Sequence, residues 1–268
     1  MLSNFEKIAF IILALSSLSV SYITFGKMFR VIMTGTQPLV WSQIFKNWKF
    51  GFAAFFGQNT LFKTRPLVGF IHALVAWGFS LYLAVNVIDV IYGFVPNFKF
   101  FPESLIGDVY RFFVDIFSVL VLLGVFYFLL RRFLLNDSRL VIDEPVMLSE
   151  KAKSGMLLDS LLVGSFIIIH IGSRFLSASF EIALSGPDSS QPAANLVARL
   201  WLGLPIDTLH FFEHLTWWLA LGLILAFLPY FPFSKHAHIF MGPLNIMASV
   251  NRKSMAAIET IDFEDENL

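Results

Sequence analysis

The stretch VYRFFVDIFSVLVLLGVFYFLL, Val109–Leu130, decides how the rest of the chain is read. Beyond Arg111 and Asp115 it carries no charge, and it contains no proline. An α-helix of roughly 20 apolar residues crosses a hydrocarbon core about 30 Å thick. A helix on the surface of a soluble protein would keep one polar face. This one has none, so lipid is the solvent it suits.

Working outward, four more stretches meet the same test: Ile8–Phe29, Leu67–Val95, Leu157–Leu184 and Pro205–Phe231. Three of the five exceed the length needed, which allows tilt but fixes no angle. The expected fold is all-α, an integral membrane bundle of about five transmembrane helices. Composition agrees. The chain is 57% hydrophobic and 14% charged, with 32 phenylalanines, against roughly 45–50% apolar and 25% charged in an ordinary globular chain. The first run lacks a small-residue cleavage site after its apolar core, so it is expected to be a retained helix.

Nineteen Lys plus Arg balance nineteen Asp plus Glu, which points to no nucleic-acid partner. There is no cysteine, which excludes disulfides, zinc–thiolate sites and cysteine-held iron–sulfur clusters within these residues.

Orientation follows from where Lys and Arg fall between spans. One set of connections holds Lys27, Arg30, Lys46, Lys49, Lys63, Arg65, Arg131, Arg132, Arg139, Lys151, Lys153, Lys235, Arg252 and Lys253. The other holds Lys7, Lys99, Arg111 and Arg199, and Arg174 lies within the fourth span. The expected layout has the N-terminus outside and the C-terminus cytoplasmic. Domain organisation is read as a membrane domain over 1–235 and a cytoplasmic tail over 236–268. Trp41, Phe45, Trp48, Phe50 and Phe55 among the lysines of the first inner loop suggest an amphipathic segment at the interface. Glu259, Asp262, Glu264, Asp265 and Glu266 end the tail, either as a solvated terminus or as a docking strip for a partner.

All six histidines lie in or beside the spans: His72, His170, His210, His214, His236 and His238. An ionisable group in a membrane is costly and usually faces an interior site. A lone histidine would more simply be a packing residue, but six together favour a site. At about 1.5 Å of rise per residue, His72 lies roughly 9 Å from the inner face, and His236 and His238 follow the inner end of the last span. His170 lies roughly 21 Å from the inner face, and His210 and His214 roughly 8 and 14 Å from the outer one. Two levels suit two stacked haems, each gripped by imidazoles from different helices. Zinc or copper would need three or four ligands at one depth.

Arg174 shares a helix face with His170. It is a candidate partner for a haem propionate or a quinone carbonyl, or else for a neighbouring helix or Glu181. Glu213 is a candidate proton acceptor in quinol oxidation, or else a neutral carboxyl bonded to a backbone carbonyl. Asp89 and Asp115 are weaker versions of the same case.

The segment Phe231-Pro232-Phe233-Ser234-Lys235-His236-Ala237-His238-Ile239-Phe240, followed by Gly242-Pro243-Leu244-Asn245, resembles the end of the last span in the gamma subunit of respiratory nitrate reductase. With Arg65-Pro66-Leu67, Gly69, His72, Trp77-Gly78-Phe79 and Trp217-Trp218, the chain is also similar to the membrane subunits of heterodisulfide-reductase-like and sulfite-reductase-associated redox complexes. The resemblance implies two haem b groups. It also implies a quinone, menaquinone in the first instance, and a cytoplasmic iron–sulfur partner subunit, with further membrane or periplasmic redox subunits beside it. The implied location is a bacterial or archaeal cytoplasmic membrane. Carried over, His72 and His238 would hold the inner haem. The outer ligands of nitrate reductase would fall near Tyr82 and Ala220, which have no imidazole. By depth, His170 with His214 replaces them and His210 is the reserve. His236 is a second candidate for the inner iron or a propionate partner. Spans one and three carry no histidine and read as scaffold. Two other readings are a histidine-lined transport path and a cofactor-free anchor.

Overall fold

The computed structural model describes residues 2–35, 39–95, 98, 101, 104–135, 137–140 and 147–249. The acidic tail residues, with Lys99, Arg252 and Lys253, lie outside them. The described residues are helical without strands, and five helices are long and apolar enough to cross a membrane. The chain divides into two compact units, Met1–Gly35 with Gln58–Ala237, and Thr36–Gly57 with His238–Leu268.

In the first unit the spans are α1 (Asn4–Ile32), α5 (Pro66–Phe94), α6 (Leu105–Phe133), α7 (Glu150–Ser185) and a last span that begins as α9 (Ile206–Trp217). That span passes through a π-helical turn at Trp218–Gly222 and ends as α10 (Leu223–Phe227). Two short helices, α4 (Asn59–Thr64) and α8 (Pro192–Ala198), complete the unit.

Local chemistry sets the ends. Ser3 caps α1 through the amide of Glu6, whose side chain reaches back to the Ser3 amide. Ser104 and Ser149 cap α6 and α7, and Pro66 and Pro192 open α5 and α8, where a missing N–H costs nothing. Gly186, at φ 101°, closes α7 in the left-handed region that other residues avoid.

Where water supplies no drive between helices, small residues allow close packing. A Cβ at Gly78 of α5 would overlap Val121 of α6, and one at Gly164 of α7 would stand 2.6 Å from Leu129 of α6. The core that results holds Tyr82, Val85, Val114, Val121, Val125 and Ile171. Tyr82 donates to Ser118 at 2.6 Å, and Ser118 donates to the Val114 carbonyl. The outer ends of α1 and α5 are tied by the Leu2 amide on Gly93 O and the Lys7 ammonium on Phe94 O.

The second unit contains α2 (Trp41–Lys46), α3 (Trp48–Gly57) and α11 (His238–Ser249), with α11 against α2 and α3. Gly51 gives room to Met247, whose carbonyl accepts from Asn47. The loop read as one amphipathic segment is thus short helices with Trp41, Phe45, Trp48 and Phe50 exposed.

Candidate functional site

The outer half of the first unit holds a group of charged and polar side chains around a cavity. An open cavity of about 930 Å³ is lined there by Asp89 and Tyr92 of α5, Tyr110 and Arg111 of α6, Arg174 and Glu181 of α7, Asp188, and Glu213, His214 and Trp217 of α9. Arg174 meets Asp89 through two N–H groups, at 3.0 and 3.3 Å, so its partner is Asp89 rather than Glu181. Trp217 adds an N–H to the Asp89 carbonyl. Arg111 bridges Asp108 and Asp188. Burial opposes ionisation of Asp188. The Gln191 amide, the Ser190 N–H and the Arg111 guanidinium nonetheless hold its carboxyl below the usual carboxylate range.

His214 belongs to this wall. Its Nδ1 lies 2.8 Å from Oε1 of Glu6, one turn into α1, and the Trp218 indole donates to the same oxygen at 3.2 Å. Span one is therefore more than scaffold, because it supplies the carboxylate behind a candidate site histidine. Sequence reasoning missed Glu6 by placing it ahead of the span. The signal was the Ser3-x-x-Glu6 capping pattern, which starts the helix before the apolar run.

His170 is buried at the level where spans two, four and five meet. Its Nδ1 lies 2.8 Å from the carbonyl of Ala220 in the π-helical turn, and the Asn86 amide reaches Nε2 at 3.5 Å. Phe166 stacks on its face and Tyr82 meets it edge-on. Tyr82 and Ala220 are the two positions where the resemblance lost its imidazoles, and the His170 ring touches both. Because His170 is level with Ala220, His214 lies six residues, roughly 9 Å of helix, further out. The structure does not bring those two imidazoles together.

His210 lies elsewhere, its side chain 56% exposed and 3.1 Å from Glu213. Glu213 thus has a local partner that helical spacing provides, rather than a backbone carbonyl. Asp115 accepts the amides of Ala193 and Ala194, so it secures the start of α8 and has no part in the cavity.

Towards the inner end, Nδ1 of His72 lies 2.8 Å from Oε1 of Gln58, and Phe128 lies edge-on to the ring. His236 is 5% exposed among Phe79, Phe166, Phe227 and Phe231, all edge-on at 5.3–6.3 Å. Its turn is held by Asp159, which accepts the Tyr230 hydroxyl at 2.7 Å and the Lys235 amide at 3.1 Å. Loss of water around Tyr230, and its bond to Asp159, push its hydroxyl up to about 12. His238 opens α11 in the second unit and is exposed there.

Among the described residues no three of His, Asp and Glu converge as a metal-holding group. A bis-imidazole haem site asks for two. An oxygen acceptor at Nδ1 requires that nitrogen to carry a proton, so in the neutral ring of His72, His170 and His214 the lone pair lies on Nε2, which in His170 faces the Asn86 amide.

No family model matches the chain, and no solved structure does. It is 30% identical over 214 residues to the probable iron-sulfur-binding oxidoreductase FadF of Bacillus subtilis (strain 168), covering 79% of this chain and 28% of that protein. It is 24% identical over 214 residues to the EtfAB:quinone oxidoreductase of Syntrophomonas wolfei subsp. wolfei, covering 76% and 29%. The chain spans less than a third of the length of these curated relatives. It is a five-span helical membrane protein similar, over most of its length, to part of two oxidoreductases.

Proposed function

We propose that this chain is the membrane electron-transfer portion of an oxidoreductase complex, holding two b-type haems and passing electrons between menaquinone and a cytoplasmic iron–sulfur partner. One observation carries this reading. Three imidazoles at different depths, His72, His170 and His214, all commit Nδ1 to an oxygen acceptor. The shared tautomer puts the lone pair on Nε2, and a ligating histidine usually has its other ring nitrogen held by such an acceptor. The relatives support the partners, since one is named for iron–sulfur binding and the other for quinone.

On the resemblance alone, His72 and His238 are proposed as inner ligands; His170 and His214, at different depths, are proposed as outer ones, with His210 and His236 in reserve. Haem b would supply reversible one-electron transfer at each level. The outer cavity is the space proposed for the outer haem and for a quinone head group beside it. Arg174, steadied by Asp89, offers N–H donors there, and Glu213, steadied by His210, offers a proton acceptor. The proposed location is a bacterial or archaeal cytoplasmic membrane.

The test is the reduced-minus-oxidised visible spectrum of the purified chain, with haem quantified per polypeptide. Two b-type haems support the proposal. Fully folded protein without haem overturns it. His72→Ala and His170→Ala should each lose one haem.

A further inference from the structure

We infer that Glu6, at the start of α1, is a positioning residue for His214, fixing its tautomer and setting the electron-donating strength of its Nε2 toward an outer haem iron. The inference rests on the reading of His214 as an axial ligand.

Four donors converge on this carboxylate: Nδ1 of His214 at 2.8 Å, the Trp218 indole at 3.2 Å, and the Ser3 amide and hydroxyl, both at 2.8 Å. An ionised carboxylate only accepts, so the hydrogens must lie on its partners, including Nδ1 of His214. The adjacent Lys7 does not take up this role of counter-charge, because its ammonium is directed to the Phe94 carbonyl. The Glu6 side chain is 20% exposed and that of His214 is 32% exposed, so the dyad is partly shielded yet borders the cavity.

The contrast with the other imidazoles gives the dyad its meaning. His72 rests on a neutral amide oxygen and His170 on a neutral backbone carbonyl. His214 rests on a carboxylate. A carboxylate behind a ligating imidazole orients the ring and raises its basicity, and losing such a partner typically costs about 10–100-fold in metal affinity or activity. A more basic imidazole favours the oxidised iron. Glu6 therefore lowers the midpoint potential of the haem bound by His214 relative to one held by neutral-backed ligands.

The experiment uses the full chain in detergent, with haem content and potentiometric titration as readouts. Glu6→Gln keeps an oxygen for His214 and removes the charge, so both haems should stay while one midpoint potential rises. Glu6→Ala should weaken retention of that haem by about tenfold or more. His214→Ala should lose it. If His214→Ala loses a haem while Glu6→Gln leaves both potentials and the haem content unchanged, the role of Glu6 is overturned and the ligand assignment stands. A purely structural Glu6 would lower thermal stability without moving a potential, and that outcome likewise overturns its positioning role. If His214→Ala keeps both haems, the ligand assignment falls and the inference falls with it.

Discussion

Around the outer cavity, polar side chains meet partners from other elements: Arg174 with Asp89, Arg111 with Asp188, His214 with Glu6. Around His236 the neighbours are four phenylalanine rings, and Phe166 continues the stack to Phe227 at 4.1 Å and to His170. In lipid a charge is tolerated when it is paired inside the bundle or faces a wet cavity. The outer half meets that condition with ion pairs around the cavity. The inner region fills its space with aromatic surface, which fixes a ring by shape. The outer half is thus held by paired charges and the aromatic region around His236 by shape.

The largest expected effect tests the outer pairs. Asp89→Ala should destabilise by about 3–5 kcal/mol, because it strands the Arg174 guanidinium. Asp89→Asn with Arg174→Met should recover much of that, read as the melting temperature of the detergent-solubilised chain. If the double variant is no more stable than the single, the pair is not the unit that matters.

Next in size is the inner stack. Phe166→Ala should cost roughly 2–3 kcal/mol, below the soluble-protein range, because packing is lost without transfer to water. A loss under about 0.5 kcal/mol, on the scale of an ordinary surface change, would mean that the aromatic region is loosely filled.

Asp188 gives a pH signature. Its lowered carboxyl stabilises the fold above the ordinary carboxylate value of 3.8, and that contribution is lost as pH falls through its lower folded value. Asp188→Asn should therefore be less stable near neutrality and show a flatter acid limb in thermal melts. An unchanged acid limb would mean that Arg111 and Asp188 do not stabilise the cavity rim.

The smallest effect sits at the inner rim. Tyr230→Phe should cost about 0.5–1.5 kcal/mol at neutral pH through its lost bond to Asp159. The raised hydroxyl stabilises the fold fully below the ordinary value of 10.0, and that contribution disappears as pH climbs to about 12. The variant should lose less stability than the parent across that alkaline window.

Some of the candidate site was legible from residue type alone. Six histidines without a soluble-loop member marked the spans as candidates for a site, and Arg174 and Glu213 were singled out and do line the cavity. Their partners were not legible. Asp89 stands 85 residues from Arg174 in the chain and Glu6 stands 208 from His214. Asp115 looked like a membrane carboxylate with a chemical task, yet it serves the two amides that open α8. Each of these depends on which way a helix is turned.

By itself the sequence determined five spans, a sum of transfer free energy along the chain that needs no neighbour. Helical rise alone put His170 and His214 at one level, which the packed helices do not. Only the tertiary structure decided that His170 is level with Ala220, that His214 lies about two turns further out, and that span one lends it a carboxylate. Those facts depend on the rotation and register of packed helices. Close packing sets both, through contacts such as Gly78 on Val121 and the π-helical turn that offers its carbonyl to His170, between residues that no local pattern links.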